Sequence, residues 1–195
     1  MNRRFFIYGL SAALALPGLP AFAITQAGAK KLVDSLVNDI NKVIAAGKSE
    51  SAMFRDFERI FNRYSDTSYI AAYAMGVDGR RATASQKRAF SNAFQSYIGR
   101  KYGSRFREFI GGRLEVRSVK KVKNWYEVST TAYLRNEAPF DVTFQVSDRA
   151  GKDLFFNMYI EGVNLLLTER AEIGALIDRN GGSIDGMIAD LKKAG

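Results

Sequence analysis

The apolar positions of this chain change their spacing twice, from near four residues to two and back again. From Thr25 to Ala46, Leu32, Leu36, Ile40, Val43 and Ile44, with Val33 and Val37, recur at helical spacing and predict an amphipathic helix ended at Gly47. A second helix is predicted from about Ser49 to Tyr64, with Phe54, Phe57, Ile60, Phe61 and Tyr64 on an aromatic face. Asp66 enters a third, Thr67 to Met75, and Gly76 stops it. Thr83-Ala84-Ser85-Gln86 is a capping box that opens the longest helix, to about Ile110. Phe90, Phe94, Tyr97, Ile98, Tyr102, Phe106 and Phe109 line its apolar side, and Gly111-Gly112 closes it.

The period then becomes two. Leu114 and Val116 alternate with Arg113, Glu115 and Arg117. Tyr126, Val128, Thr130, Ala132 and Leu134 share one face of a second strand. Phe140, Val142, Phe144 and Val146 do so in a third, and Leu154, Phe156, Met158 and Ile160 in a fourth, with a hairpin turn at Asp148 to Lys152. Helical spacing returns from Val163 to Arg179; Gly181-Gly182 breaks it, and Ser183 caps a last helix ending near Lys193. Helices, four alternating strands and helices again predict an α+β domain: a four-stranded curved antiparallel sheet with helices packed on one face.

Residues 1–23 read as a leader rather than as part of that domain. Arg3-Arg4 gives a positive start, Phe5 to Leu16 an apolar run, and Ala21-Phe22-Ala23 the small-x-small pattern of a signal-peptidase site, with cleavage after Ala23. The run is too short to span a bilayer. Arg3-Arg4-Phe5-Phe6-Ile7 also fits the twin-arginine arrangement. The expectation is an exported protein in which residues 24–195 form one domain.

Composition narrows the chemistry. The chain has no Cys and no His, which removes disulfides, thiol and Ser-His nucleophiles, imidazole bases and the usual zinc sites. Asp148, Arg149 and Asp153 lack calcium-loop spacing, so no metal is assigned. Lys and Arg number 29 against 20 Asp and Glu, a net +9 that falls to +7 once Arg3 and Arg4 leave with the leader. Outside the cytoplasm that charge meets lipid head groups rather than nucleic acid, or only keeps the chain soluble. Arg100, Lys101, Arg105, Arg107, Arg113, Arg117, Lys120, Lys121 and Lys123 are candidates for head groups or acidic partners. The 14 Phe and nine Tyr fall mostly on apolar faces. Such faces either close into a core or line a cavity that a ligand with long acyl chains would fill.

The C-terminal third carries more specific marks. Ile160-Glu161-Gly162-Val163-Asn164-Leu165, Thr168-Glu169-Arg170-Ala171-Glu172-Ile173, and Gly181-Gly182 followed by Ile184 to Leu191 resemble the end of the MlaC family, the toluene-tolerance or ABC-transporter auxiliary-component family. Tyr69 to Gly76, Ala84 to Phe90, and Tyr97 to Tyr102 resemble its helix–Gly–helix centre. The chain departs from the family at Gly79, where Trp is frequent, at Asn157, where Asp is frequent, and in lacking a Trp near the start of the last strand. The resemblance implies a cone-shaped domain like the nuclear-transport-factor-2-like folds, with no enzymatic activity and no cofactor beyond a phospholipid carried as cargo. It implies a soluble periplasmic carrier working between an outer-membrane lipoprotein complex and an inner-membrane ABC transporter with its MCE-domain protein, to maintain outer-membrane lipid asymmetry. Mapped onto inward positions, it places lipid contacts at Phe57, Phe61, Phe94, Tyr97, Tyr126, Val128, Val142, Phe144, Phe156, Met158, Ile160 and Val163. Glu161-Gly162 reads as a strand-to-helix turn rather than a ligand site, and Gly76, Gly79 and Gly111-Gly112 as candidate flex points. A hopanoid or other isoprenoid cargo, an enzyme on a similar scaffold, and an adhesion or scaffold module with a filled core are the alternatives.

Overall fold

The computed structural model describes residues 23–105, 110–135 and 137–194. Among them run α1 (Gln26–Ala45), α2 (Glu50–Tyr64), α3 (Thr67–Met75), a 3-10 turn (Gly76–Arg80), α4 (Ala84–Arg105), β1 (Arg113–Val122), β2 (Trp125–Tyr133), β3 (Phe140–Ser147), β4 (Leu154–Ile160), β5 (Val163–Asn164), α5 (Leu165–Arg179) and α6 (Ile184–Leu191). The predicted leader through Phe22, the helix end carrying Phe106 and Phe109, Arg107, and the side chain of Arg105 lie outside the described residues.

Helix starts follow their caps. The Thr25, Asp66 and Ser183 side chains accept from the backbone N–H groups of Gly28, Tyr69 and Gly186. The capping box is reciprocal: Gln86 N–H donates to Thr83 Oγ1 at 3.1 Å, and Thr83 N–H to Gln86 Oε1 at 3.0 Å. Each cap satisfies a donor that the helix cannot satisfy itself, so these starts are fixed by local chemistry.

The sheet has five strands, not four, in the order β1-β2-β3-β4-β5, with every neighbouring pair antiparallel. The extra strand corrects the reading of Val163 as a helix start. Glu161 and Gly162, with φ of 49° and 79°, make a two-residue hairpin that returns Val163 to pair with Ile160. Helix α5 begins only at Leu165, after Asn164 caps it by accepting from the Leu167 N–H. The sequence pattern passes from strand to helix at Gly162, whereas the backbone inserts one more strand pairing first.

Two irregularities bend the sheet. Register slips by a residue between Val116 and Ser118 on β1, and between Gln145 and Val146 opposite β4. The second slip leaves Phe156 without a pairing residue across the ladder, because Asn157 pairs with Gln145 and Phe155 with Val146. Side chains before and after it therefore exchange faces.

Helix α1 lies across β1, β2 and β3. Helix α2 packs chiefly on α4 and α1, while α3, α5 and α6 form a second layer with α4 against β4. Gly99 and Gly103 let α2 come close: a Cβ at Gly99 would stand 2.9 Å from Glu58 Cβ, and one at Gly103 2.7 Å from Phe54 Cδ1. Ser96 Oγ donates to Glu58 Oε1 at 2.8 Å across the same seam. Gly174, inside α5, has open space where a Cβ would point.

Gly99 and Gly174 should respond in opposite directions. Gly174→Ala gains helix propensity without a clash and should stabilise by about 1 kcal/mol. Gly99→Val must push α2 away and should destabilise by about 1–3 kcal/mol. Chemical denaturation of the two variants checks the signs; a neutral Gly99→Val would contradict the close approach.

Candidate functional site

The apolar interior is solid at one end and hollow at the other. Near the β1–β2 turn, Tyr126, Val128 and Val146 are buried and stand outside the lining of the cavity. Toward the β2–β3 connection that cavity opens, with a volume of about 480 Å³. The volume is in the range of small-molecule sites, and an apolar cavity of about 150 Å³ already binds benzene.

Its walls come from three helices and the sheet. Helix α1 supplies Leu36 and Ile40, α2 supplies Phe57, Ile60 and Phe61, and α4 supplies Ile98, Gly99 and Tyr102. The sheet supplies Leu114, Phe140, Val142, Phe144, Phe155, Met158 and Ile160. Phe155 joins the walls, its ring 6.1 Å from Phe61 and 5.6 Å from Phe144, both edge-on. Leu134, Glu137, Ala138 and Glu161 complete the lining. Glu137, Ala138 and Glu161 are also exposed, so the mouth lies between the β2–β3 connection and the end of β4. Glu137 and Glu161 are the charged groups of the lining, and the Tyr102 hydroxyl is its other titratable group. Glu161 thus sits at the mouth, as well as in the turn that the sequence assigns to it.

Of the residues singled out from sequence, Phe57, Phe61, Val142, Phe144, Met158 and Ile160 line the cavity. Phe94, Tyr97, Tyr126, Val128, Phe156 and Val163 do not. Phe156 is displaced by the bulge: its ring meets Tyr69 at 5.7 Å and Trp125 at 6.0 Å, and the Arg149 guanidinium lies 4.0 Å from its centroid. Phe155 takes the inward place. Val163 lies on the short outer strand and is 55% exposed, with Leu167 beside it at 51%.

Phe94 and Tyr97 fail for a different reason. Helix α4 turns two sets of residues to faces about a third of a turn apart. Phe90, Phe94 and Tyr97 take one face, where the Phe90 and Phe94 rings stack at 5.4 Å. Ile98, Gly99 and Tyr102 take the other and face the cavity. Tyr97 donates to Glu172 Oε2 at 2.6 Å; burial, then that carboxylate, push its hydroxyl far above the usual phenol range, so it stays a donor. The Tyr102 hydroxyl reaches out of the cavity wall to buried Glu169 at 2.5 Å, and Lys101 bridges Glu169 and Glu172 at 2.8 and 2.6 Å. This network ties α4 to α5 beside the cavity.

Several basic candidates are already engaged. Arg100 binds the carbonyls of Leu191, Lys192 and Ala194 at the end of α6. Lys101 is held by the two glutamates, and Arg113 by Glu115 and the Tyr133 ring. Lys120, Lys121 and Lys123 are exposed at the β1–β2 turn, the end away from the cavity. Asn157 keeps the acceptor that an aspartate would provide, taking the Leu166 N–H at 3.3 Å, and adds a donor to Gln145 at 3.1 Å. Among the described residues no group of acidic side chains is placed to hold a metal ion. No described helix is long and apolar enough to cross a membrane.

The chain belongs to the MlaC protein family, whose model matches residues 30–193. Its fold is similar to that of a phospholipid-binding protein from Ralstonia solanacearum, solved in complex with a phospholipid. The two are 19% identical, with a TM-score of 0.69 over 86% of this chain and 94% of that one. At that identity the likeness establishes the fold.

The division into hollow and solid halves is measurable by enlarging one side chain in each. Val128→Phe should cost about 1–3 kcal/mol, the usual penalty of overpacking. Val142→Phe has space to enter and should change stability by less than about 1 kcal/mol, while reducing uptake of an apolar fluorescent dye. Paired denaturant melts distinguish the two; equal losses would mean that the hollow is not there in solution.

Proposed function

We propose that this protein is a soluble, non-catalytic carrier of phospholipid in the periplasm. Its acyl chains would lie in the cavity between α2, α4 and the sheet, with the head group at the Glu137–Glu161 mouth. The observation that carries this reading is the apolar cavity itself. Removing side-chain volume from a core costs about 24 cal/mol per Å³ of void left. Applied to the full 480 Å³, that slope sets an upper bound on the order of 10 kcal/mol, since the mouth is open to water, against a folding free energy of similar size for a whole domain. Evolution does not retain such a void unless something apolar fills it.

Lipid chemistry supplies the need. Two acyl chains hold about 30 methylenes, each worth ~0.8 kcal/mol against water, so leaving a bilayer unaided costs on the order of 20 kcal/mol. A cavity of hydrocarbon and aromatic side chains removes most of that. Among the described residues the titratable groups of the lining are two carboxylates and a phenol, both carboxylates at the solvent edge, which favours carriage over catalysis. Family membership supports the route: from an outer-membrane lipoprotein complex to an inner-membrane ABC transporter and its MCE-domain partner, in the service of outer-membrane asymmetry. A leader ending at Ala23 is consistent with that compartment. Phe57, Phe61, Val142, Phe144, Met158 and Ile160 are the tail contacts proposed from both sequence and cavity; Phe155 and Tyr102 join them from the cavity.

Protein purified gently from the periplasm should carry phospholipid, released by organic solvent and identified by mass spectrometry. Val142→Trp combined with Met158→Trp should lower lipid per protein roughly tenfold, about 1.4 kcal/mol of lost binding, with the helical content unchanged. Well-folded protein that is always lipid-free would refute the carrier. A hopanoid or polyisoprenoid in place of phospholipid would change the cargo and leave the carrier intact.

A further inference from the structure

The chain just ahead of α1 is fastened to the β3–β4 hairpin. The Ile24 backbone nitrogen donates to Asp148 Oδ2 at 2.9 Å, a contact spanning most of the domain's sequence. The Ile24 side chain packs against the core, whereas Ala23 before it is exposed. Asp153, on the other arm of the hairpin, presses on the first turn of α1 so closely that a Cβ at Gly28 would collide with its Oδ2. Helix α1 has no acidic residue in its own first turn. The hairpin therefore brings negative charge to a helix start that carries none, where the macrodipole favours it. Burial, and then the charge of Asp148, raise the Asp153 carboxyl above its ordinary range, so the two acids strain against each other.

In the unprocessed chain the nitrogen facing these acids is a neutral amide. We propose that cleavage between Ala23 and Ile24 converts it into an ammonium ion, and the Ile24–Asp148 hydrogen bond into an ion pair that clamps the β3–β4 hairpin onto the start of α1. The chemistry is hydrolysis by a signal peptidase with water as co-reactant. The Ala23–Ile24 peptide bond breaks, Ala23 leaves as a carboxylate, and the freed amine takes up a proton. A terminal amine ordinarily holds that proton below about pH 7.7–8. The nitrogen need not move, since the hydrogen bond already exists. The bond to the Asp148 carboxylate is already charge-assisted; charging the donor adds a Coulombic attraction between opposite charges, and partial burial limits its screening by salt. Removal of the leader then does more than release the protein: it adds the missing cation to a site holding two carboxylates. The domain reaches full stability only after it has been cut free. This inference is independent of what the cavity carries.

Three forms of the chain separate charge from contact. One starts at Ile24 with a free amine, the second is the same chain acetylated on that nitrogen, and the third keeps Ala21-Phe22-Ala23 in front. Acetylation preserves the N–H donor and removes the charge. The free-amine form should melt about 2–4 °C above the other two. Asp148→Asn should abolish that advantage and bring the three together. Equal melting of the three unsubstituted forms would overturn the proposal, as would an Asp148→Asn loss of the same size in each. N-terminal sequencing of exported protein that finds a start other than Ile24 would also overturn it. If Asp148→Asn does not fold, the three unsubstituted forms decide the matter alone.

Discussion

The cavity exists only because α2 is prevented from sinking onto the sheet. Apolar surfaces facing each other across a gap attract, and nothing in the hydrophobic effect stops them short of contact. What stops them here is the way α2 is held at its sides. On one side Gly99 and Gly103 let it wedge tightly against α4, with the Ser96–Glu58 hydrogen bond across the seam. On the other, the Tyr64 hydroxyl donates to Asp39 of α1 at 2.6 Å, and that bond is the main reason the Asp39 carboxyl lies below its ordinary range. Asp56, buried on α2, is bound by Lys48 from the α1–α2 connection and by Arg59. A roof fixed at both edges keeps its height even when the space beneath it is not filled by side chains. Phe57, Ile60 and Phe61 then hang from that roof into the hollow.

The two ends of the sheet follow from the same constraint. At the β1–β2 turn the sheet is closed off by conventional packing, with Val128 and Val146 fully buried and Arg149 held between the Tyr69 and Phe156 rings at 4.1 and 4.0 Å. At the β2–β3 connection the lining passes to exposed Glu137 and Ala138, which mark the mouth. Bulges on β1 and β4 increase the local twist and curl the sheet around the void. The packed end and the hollow end lie on one sheet, with β3 carrying Val146 at the first and Phe140, Val142 and Phe144 at the second.

Much of this is legible in the sequence, and the parts that are not have physical causes. Helix starts can be read because a cap is a local event: Thr83 needs only Gln86, and Asp66 only the N–H of Tyr69. The alternation of Val142 and Phe144 places both on the inner face because β3 keeps a regular register with β2 there. Phe156 is misplaced by its pattern because a bulge is a relation between two strands, and the alternation along β4 alone continues undisturbed through it. Val163 is misplaced because Glu161 in the left-handed region, a conformation rare for its type, makes room for a two-residue strand that periodicity cannot register. Phe94 and Tyr97 look as inward as Tyr102 along the sequence. The placement of α2, α3 and α6 around α4 decides which of its faces meets helices and which meets the hollow. The shape of a cavity is a property of gaps between elements, and no single element encodes it.

For a phospholipid cargo, this construction sets what the cavity can and cannot do. Acyl chains find apolar surroundings both in a bilayer and among Phe57, Phe144, Phe155 and Met158. The large hydrophobic term therefore separates either place from water but nearly cancels between the two. Exchange between membrane and carrier is then close to balanced, and small terms govern it. These are the interactions of the head group at the mouth, the dispersion attraction forfeited by the walls when the cavity empties, and the free energy of docking to whatever presents the membrane. Among the described residues, the apolar cavity walls offer no group that distinguishes delivery from pick-up. Direction must come from outside the cavity, through partners that bind the loaded and empty forms unequally, because a ligand shifts an equilibrium only by its differential affinity for the two states. A carrier built this way would be a reversible container, and the energy for any net transport would have to be supplied from outside it.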